Sequence, residues 1–197
     1  MKLQIPNGDF HAYLFDCDGT IVDSMPLHYV AWSRALAEWG CPFPENQFYA
    51  LGGVPPEGII ARLNAEHGLQ MPVAEVALHK ENYYYHSLSE LEAIPEVLEQ
   101  INLAYGKIPF AVVSGSSRES VEKSLTQLGL IDKFPIRICS EDYTHGKPNP
   151  ECYLKAAAAL NVAPADCLVF EDTEMGIEAA KAAGMSWVRV PAPWERK

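Results

Sequence analysis

The segment that decides the fold of this chain is Asp16-Cys17-Asp18-Gly19-Thr20-Ile21-Val22-Asp23-Ser24, which follows the apolar run Tyr13-Leu14-Phe15. The apolar run predicts a short buried strand, Ala12–Phe15, and Gly19 with Thr20 marks its end. Because residues i and i+2 of a strand point to the same side, Asp16 and Asp18 present their carboxylates together where the sheet stops. Such carboxylates repel each other unless a cation lies between them or one holds a proton. Both arrangements are chemically useful.

Length and composition are those of a small globular protein with room for one core and a modest insertion. Of its 197 residues, 48% are hydrophobic and 21% are charged. The net charge of -11 opposes binding to nucleic acid or to an anionic membrane. The 5 cysteines form no CxxC pair, which argues against a disulfide framework or a zinc site. Residues 1–10 lack the apolar run of a signal peptide and no stretch approaches transmembrane length, so we expect a cytoplasmic protein.

Strands and helices alternate along the chain on either side of an all-helical stretch. After the first strand, the pattern predicts strands at residues 110–113, 137–139, 168–170 and 187–190. Helices are predicted at residues 97–105, 119–128, 151–160 and 175–183. Strands separated by helices indicate parallel βαβ units, so the expected fold class is α/β, with a doubly wound, mostly parallel sheet of the Rossmann type.

Residues 24–94 show no strand pattern, and we call this segment the helical insert. Helices are predicted in it around Trp32 and at residues 56–66 and 73–89. We therefore expect two domains. They are an α/β core, residues 1–23 and 95–197, and a small helical domain, residues 24–94, inserted after the first strand.

Three further polar segments follow predicted strands, and ligands of an open α/β sheet bind beyond the carboxyl ends of the strands. Ser114-Gly115-Ser116 supplies a hydroxyl and backbone N–H groups that suit a phosphate, Lys147 lies in a stiff Gly/Pro loop, and Glu171-Asp172 opens a helix. Each has an ordinary alternative reading: a turn, a solvated lysine, and carboxylates that complement a helix dipole. Their conjunction at one edge of a sheet favours an active site.

In this order, the four segments resemble the four motifs of the haloacid dehalogenase-like superfamily, most of whose members are magnesium-dependent phosphatases. The resemblance extends over nearly the whole chain, and the helical insert lies where that family carries a cap domain. The run from Phe170 to Met185 looks especially like the subgroup that contains β-phosphoglucomutase and small sugar-phosphate phosphatases.

The resemblance implies a role for each matching residue. Asp16 would be the nucleophile that forms an aspartyl phosphate, and Asp18 the general acid and then the general base. Lys147 and Ser114 would stabilise the transferring phosphoryl group. The remaining implied phosphate- and substrate-binding residues are Gly19, Thr20, Gly115, Ser116 and His28.

The implied cofactor is Mg²⁺, which prefers hard oxygen ligands. By resemblance, Asp16 and Asp172 would bind it through their carboxylates, Asp18 through its backbone carbonyl, and Glu171 directly or through water. His28 matches a histidine that interacts with the general acid in the subgroup. We expect it to couple closure of the cap to catalysis, with hinges near residues 24–26 and 92–95.

The helical insert bears on the choice between hydrolysis and isomerisation. A mutase must hold a second phosphate, and in the mutases of this family a lysine and an arginine from a cap loop do so. The similar loop here has Gly52 and Pro56 at those positions, and the insert has only Arg34, Arg62 and Lys80 as basic residues against eight glutamates. Arg62 could still swing inward, whereas Lys80 lies in a predicted helix with no sign of a site.

The leading hypothesis is therefore a magnesium-dependent phosphatase for small sugar phosphates, such as fructose 1-phosphate-like hexose monophosphates. A β-phosphoglucomutase-type phosphohexomutase is the alternative. A dehalogenase is disfavoured because a departing halide needs no acid, and a phosphonatase because it needs a Schiff-base lysine from the cap. The expected partner is a small phosphorylated metabolite, with neither nucleic acid nor membrane involved, and we expect a monomer.

Overall fold

Five parallel strands in the order β3-β2-β1-β4-β5 form the centre of the structure, a computed structural model that describes residues 2–195. Tyr13 lies opposite Phe110 on one side of β1, and Phe15 lies opposite Phe170 on the other. The strand order reverses at β1, as it does in a doubly wound fold, so the predicted fold class is confirmed. The strands are β1 (Ala12–Phe15), β2 (Phe110–Val113), β3 (Ile136–Ile138), β4 (Cys167–Glu171) and β5 (Ser186–Arg189).

Helices cover both faces of the sheet. Along β1 the side chains alternate, so that Phe15 joins one apolar layer and Leu14 the other. The first layer includes side chains of α5 and α6, and the second includes side chains of α7 and α8. These helices are α5 (Pro95–Ala104), α6 (Arg118–Gln127), α7 (Glu151–Leu160) and α8 (Glu174–Ala182).

The helical insert has an apolar cluster of its own, built around Trp32, Leu36 and Ile60. Its helices are α1 (Met25–Ala37), α2 (Glu45–Ala50), α3 (Pro56–His67) and α4 (Val73–His86). Helix α2 was not predicted, because its six residues bury Phe48 alone and so show no helical period. Helix α4 ends earlier than predicted, and a short 3₁₀ turn (Leu88–Glu90) follows it.

The chain leaves and re-enters the core at adjacent points. Val22 pairs with Ala93 in an antiparallel bridge, and Ile94 N donates to Ile21 O at 3.0 Å. The return crossing at Ala93 and Ile94 falls within the predicted connection at residues 92–95, whereas the outgoing one at Ile21 and Val22 lies just before residues 24–26. The hinges and the division into two domains stay predictions. Within residues 2–195, no helix combines the length and the apolar character needed to cross a membrane.

Candidate active site

Three carboxylates meet where β1 and β4 end, and we call them the acidic cluster: Asp16, Glu171 and Asp172. Each offers one oxygen atom that lies within 4.8 Å of the others. Thr20 Oγ1 donates to Asp172 Oδ1 at 3.0 Å. Gly19 has φ +84°, and a Cβ there would collide with the Asp172 carboxylate, so both the backbone conformation and the close approach require glycine.

Lys147 is the counter-charge of the acidic cluster. Its side chain is 1% exposed, and its ammonium donates to Asp16 Oδ1 at 2.6 Å, to Glu171 Oε1 at 2.7 Å and to Val113 O at 3.3 Å. These acceptors engage all the N–H groups of the ammonium and therefore fix it in place. Although burial lowers the pKa of Lys147, the carboxylates of Asp16 and Glu171 outweigh burial and raise it.

The acidic cluster fits a hard divalent cation. Its donors are all carboxylate oxygens, the ligands that Mg²⁺ prefers. The ionised cluster carries one negative charge on each of three residues, and Lys147 offsets only one of them. Burial, with the charge of Glu171, raises the pKa of Asp16 to about 8 despite Lys147, and it raises that of Asp172 as well. When its carboxylates ionise, the cluster therefore has excess negative charge that a divalent cation would neutralise.

Glu171 is held firmly at the end of β4. Its Oε2 accepts a 2.8 Å hydrogen bond from Thr173 N, while Oε1 faces Lys147. A Cβ on Gly176 would collide with the Glu171 carboxylate, so this side chain occupies the space that a larger residue would need. Both carboxylate oxygens thus have protein partners. That Glu171 supports a metal, directly or through water, stays a prediction.

Asp18 does not join the acidic cluster with its side chain. Its Oδ1 accepts hydrogen bonds from Ser24 Oγ at 2.7 Å and from His28 Nε2 at 3.0 Å, and its Oδ2 accepts one from Ser116 Oγ at 2.7 Å. Burial raises the pKa of Asp18, but the imidazole of His28 and these hydrogen bonds outweigh burial, so the pKa lies below its ordinary value. Because Ser24 and His28 belong to the helical insert and Ser116 to the core, Asp18 links the two.

His28 is 5% exposed and lies flat against Tyr84, with ring centroids 3.9 Å apart. Its Nε2 faces the Asp18 carboxylate, so this nitrogen carries the proton. Its Nδ1 is buried and has no hydrogen-bond partner among the described residues. Burial lowers the pKa of His28, and the nearby ammonium of Lys80 lowers it further, against the opposing effect of Asp18. The predicted contact between His28 and Asp18 is present.

Ser114, Gly115 and Ser116 form a tight turn after β2. Ser116 N donates to Ser114 Oγ at 3.0 Å, and a Cβ on Gly115 would lie 3.0 Å from Gly53 O. A loop of the helical insert therefore rests directly on this turn. The Ser116 hydroxyl bonds to Asp18, so any role in holding phosphate falls to its backbone and to its two neighbours.

A cavity separates the acidic cluster from the helical insert. Its floor includes Asp16, Asp18 and Ser114, and Gly52 and Pro56 line its side. The roof is mostly apolar, with Trp32, Phe48, Leu51 and Ile59, and it contains the ammonium of Lys80.

The prediction that Lys80 shows no sign of a site is wrong. Lys80 is 4% exposed, lines the cavity, and pairs with Glu81 Oε1 at 2.7 Å. Val76, Lys80 and Tyr84 are the buried residues of α4, spaced four apart. A lysine at a core position of an amphipathic helix is the signal that would have found it. By contrast, the Arg62 side chain is 57% exposed and bonds to Glu66.

Comparisons with known proteins agree with this geometry. The sequence model of the haloacid dehalogenase-like hydrolase family matches residues 13–190. Fructose-1-phosphate phosphatase YqaB of Escherichia coli is 33% identical over 178 residues, covering 90% of this chain and 94% of that protein. Beta-phosphoglucomutase of Bacillus subtilis is 33% identical over 190 residues, covering 91% and 82%. The crystal structure of beta-phosphoglucomutase from Clostridium difficile superposes with a TM-score of 0.82 at 26% identity, covering 90% of this chain and 83% of that one.

Fold and site together define the class of protein, an α/β enzyme with its acidic site at the carboxyl ends of a parallel sheet. The chain belongs to the haloacid dehalogenase-like hydrolase family, whose model covers most of its length. The expected family is therefore confirmed. Equal identity to a phosphatase and to a mutase does not separate those two activities.

Proposed function

We propose that this protein is a phosphatase that hydrolyses monophosphate esters of small sugars, fructose 1-phosphate-like hexose phosphates among them. The observation that carries the proposal is the placement of two carboxylates across one cavity. Asp16 lies in the acidic cluster beside Lys147, whereas Asp18 faces the helical insert. This arrangement supports a role for one carboxylate in attack on phosphorus and for the other at the oxygen that leaves.

In this proposal Asp16 attacks the phosphorus atom, the ester bond to the sugar oxygen breaks, and an aspartyl phosphate forms. Lys147, 2.6 Å from Asp16, reduces the repulsion between this carboxylate and the anionic substrate. Asp16, Glu171 and Asp172 would hold Mg²⁺, which when bound supplies positive charge that offsets the charge of the phosphoryl group. Ser114 and the backbone of Gly115 line the same end of the cavity and would bind phosphate oxygens.

Asp18 would act in its protonated form: it would take a proton from solvent before the reaction and donate it to the departing sugar oxygen. As the carboxylate so formed, it would then accept a proton from the water that hydrolyses the aspartyl phosphate. Among the described residues that line the cavity, it is the one carboxylate outside the acidic cluster. Ser24, His28 and Ser116 hold it from both sides of the cavity. This placement supports a role in proton transfer rather than in metal binding through its side chain.

The roof of the cavity favours hydrolysis over isomerisation. A second phosphate would meet mainly apolar side chains there, with Gly52 and Pro56 beside it. The charge of Lys80 is already balanced by Glu81 at 2.7 Å, and Arg62 points to solvent, where it bonds to Glu66. A neutral sugar carrying one phosphate matches this roof better than a bisphosphate does. The net charge of -11 argues against a nucleic acid or an anionic membrane as partner, while the monomeric state and the cytoplasmic location stay predictions.

Phosphorus NMR tests the proposal. The protein is incubated with Mg²⁺ and either fructose 1-phosphate or β-glucose 1-phosphate, with a phosphoryl donor present to prime any mutase. Accumulation of inorganic phosphate beyond donor hydrolysis, lost in Asp16→Asn, supports the phosphatase. Conversion of β-glucose 1-phosphate to glucose 6-phosphate would establish the mutase instead. Full activity of Asp16→Asn would overturn the assignment of the nucleophile.

A further inference from the structure

Tyr84 spans the boundary between the helical insert and the core. It lies on α4, is 0% exposed, and its hydroxyl is 2.8 Å from Ser124 Oγ on α6. Its ring covers the imidazole of His28 at a centroid distance of 3.9 Å and an interplanar angle of 21°. One side chain therefore reaches from a core helix to the histidine that bonds Asp18.

The direction of the hydrogen bonds fixes the role of the Tyr84 hydroxyl. Ser124 Oγ donates its proton to Ser120 O at 2.9 Å, so it can only accept from Tyr84. Burial raises the pKa of Tyr84, which keeps the phenol protonated and able to donate. Turning this side chain away from α6 would leave a buried hydroxyl without a partner, so the ring is held in one orientation.

The imidazole of His28 depends on this ring. Its hydrogen bond to Asp18 through Nε2 fixes one atom, but Nδ1 has no partner among the described residues. One hydrogen bond leaves an imidazole free to tilt about the contact. The flat face of Tyr84 removes that freedom, because tilting would open a gap in a buried stack.

A second contact attaches the same end of α4 to the core. The ammonium of Lys123, also on α6, lies 3.6 Å from the centre of the Tyr85 ring. Consecutive residues of α4 thus contact the same core helix. The position of the His28–Tyr84 stack is therefore fixed by contacts with the core as well as with the helical insert.

We propose that Tyr84 is a positioning residue, which holds His28, and through it Asp18, in the orientation needed for proton transfer to the leaving sugar oxygen. The proposal rests on the proposed function for the role of Asp18. It goes beyond that function by assigning a task to a residue outside the four motifs.

Comparing two substrates distinguishes a variant that mispositions the general acid from one that damages the whole site. An alkyl phosphate needs a proton on its leaving oxygen, whereas p-nitrophenyl phosphate has a leaving group that departs without one. The ratio kcat/KM reports only the steps through departure of the alcohol, so the later hydrolysis of the aspartyl phosphate does not enter. Tyr84→Leu removes the stack and Tyr84→Phe keeps it. Tyr83→Leu is the matched control, because Tyr83 bonds to Glu38 away from the site.

We expect Tyr84→Leu to lower kcat/KM for fructose 1-phosphate roughly tenfold, because general acid catalysis contributes more than this and would be only partly lost. The fall in kcat/KM for the aryl phosphate should be much smaller. Tyr84→Phe should recover most of the loss, because it keeps the ring against His28 and, unlike Ser124→Ala, leaves no buried hydroxyl without a partner. Tyr83→Leu should behave as wild type. Equal falls for both substrates in Tyr84→Leu, or no fall, would overturn the proposal.

A measurement without turnover keeps this inference separate from the proposed function. In wild-type protein, the carbon-bound ring protons of His28 should show the upfield NMR shift of a proton above an aromatic face, identified by its loss in His28→Gln. Tyr84→Leu should abolish the shift, and Ser124→Ala should reduce it. If Tyr84→Leu does not fold, Ser124→Ala carries both tests: an unchanged shift and an unchanged substrate ratio would overturn the inference. If the wild-type protein shows the upfield shift but has no phosphatase activity, that result would instead count against the proposed function.

Discussion

Lys147 donates a 2.6 Å hydrogen bond to Oδ1 of Asp16, although the two residues are 131 positions apart in sequence. The contact brings the loop after β3 to the end of β1, and it sets a buried ammonium against a buried carboxylate. Removing one partner of such a pair leaves an uncompensated charge in the interior. Under the proposed function, stability and catalysis therefore depend on the same contact.

Lys147→Met should damage both properties. It leaves Asp16 and Glu171 buried without their cation, so we expect a loss of about 3–5 kcal/mol in the free energy of unfolding. Turnover should fall by about 100-fold or more, since the charge beside the nucleophile is lost. Urea unfolding and a phosphate-release assay measure the two effects. The control is Lys155→Met, an exposed lysine paired with Glu151, for which we expect less than about 1 kcal/mol. Similar losses in both variants would contradict this account.

Gly176→Ala tests the space beside Glu171. The added methyl group would collide with the Glu171 carboxylate and push it from Lys147. We expect a large loss of activity although alanine has the higher helix propensity, by about 1 kcal/mol. Gly58→Ala, in α3, is the control, because its Cβ would meet only the end of the Val54 side chain. Wild-type activity of Gly176→Ala would show that Glu171 need not stay where the structure has it.

Removal of divalent cations with EDTA should abolish phosphatase activity, and added Mg²⁺ should restore it. Asp172→Asn removes one negative charge from the acidic cluster, so the Mg²⁺ concentration for half-maximal activity should rise by about tenfold or more. Activity is measured against free Mg²⁺ for both proteins. Glu174→Gln, an exposed carboxylate nearby on α8, should leave the curve unchanged. A curve for Asp172→Asn that overlies the wild-type curve would exclude Asp172 as a ligand.

Lys80→Met tests the roof of the cavity. The change leaves the carboxylate of Glu81 without its cation next to the cavity, so the unbalanced negative charge should raise KM for an anionic hexose phosphate by about tenfold, the equivalent of 1.4 kcal/mol. Arg62→Met is the matched control and should leave KM unchanged, because Arg62 bonds to Glu66 at the surface. Steady-state kinetics distinguishes the two variants. A raised KM in Arg62→Met alone would mean that this arginine turns inward when substrate binds.

Glu151 should make stability depend on pH. Its salt bridge with Lys155 and its hydrogen bonds from Thr144 N and His145 N lower its pKa from 4.5 to about 2. A carboxylate whose folded-state pKa is depressed stabilises the fold above its ordinary pKa, and this contribution is lost as pH falls through the lower value.

Glu151→Gln should therefore destabilise the protein at pH 7, and the difference from wild type should shrink as pH falls from 4.5 towards 2. Thermal unfolding of both proteins over this range measures the difference. Glu178→Gln, an exposed carboxylate on α8, should show little difference at any of these pH values. A constant gap between Glu151→Gln and wild type would contradict the assignment.

The meeting of Asp16, Lys147 and Glu171 could be predicted from sequence because each follows or ends a strand of one parallel sheet. In such a sheet the carboxyl ends lie at a common edge, so the position along the chain determines the position in space. The side chain of Asp18 is different. The spacing predicts that it points to the same side as Asp16, but the hydroxyls of Ser24 and Ser116 and the imidazole of His28 direct it away from the acidic cluster.

The sequence marks Lys80 and Tyr84 as core positions of α4, but the groups that they contact depend on how α4 packs against α1 and α6. Tyr84 is fully buried. Its contact with His28 joins residues of two different helices, which no local pattern indicates. Helix α2 was not predicted for a related reason: Phe48 is buried by Phe43 and Tyr29, which lie outside α2.

The bridge between Val22 and Ala93 holds the two ends of the helical insert side by side. A short turn could join these two positions without moving a strand of the sheet, since the entropy of closing a loop changes slowly with its length. Under the proposed function, the part of the chain that would recognise the alcohol and the part that would handle the phosphoryl group are thus open to separate replacement over evolutionary time. A lineage can acquire a new roof, and with it a new metabolite, while the three carboxylates below remain as they are.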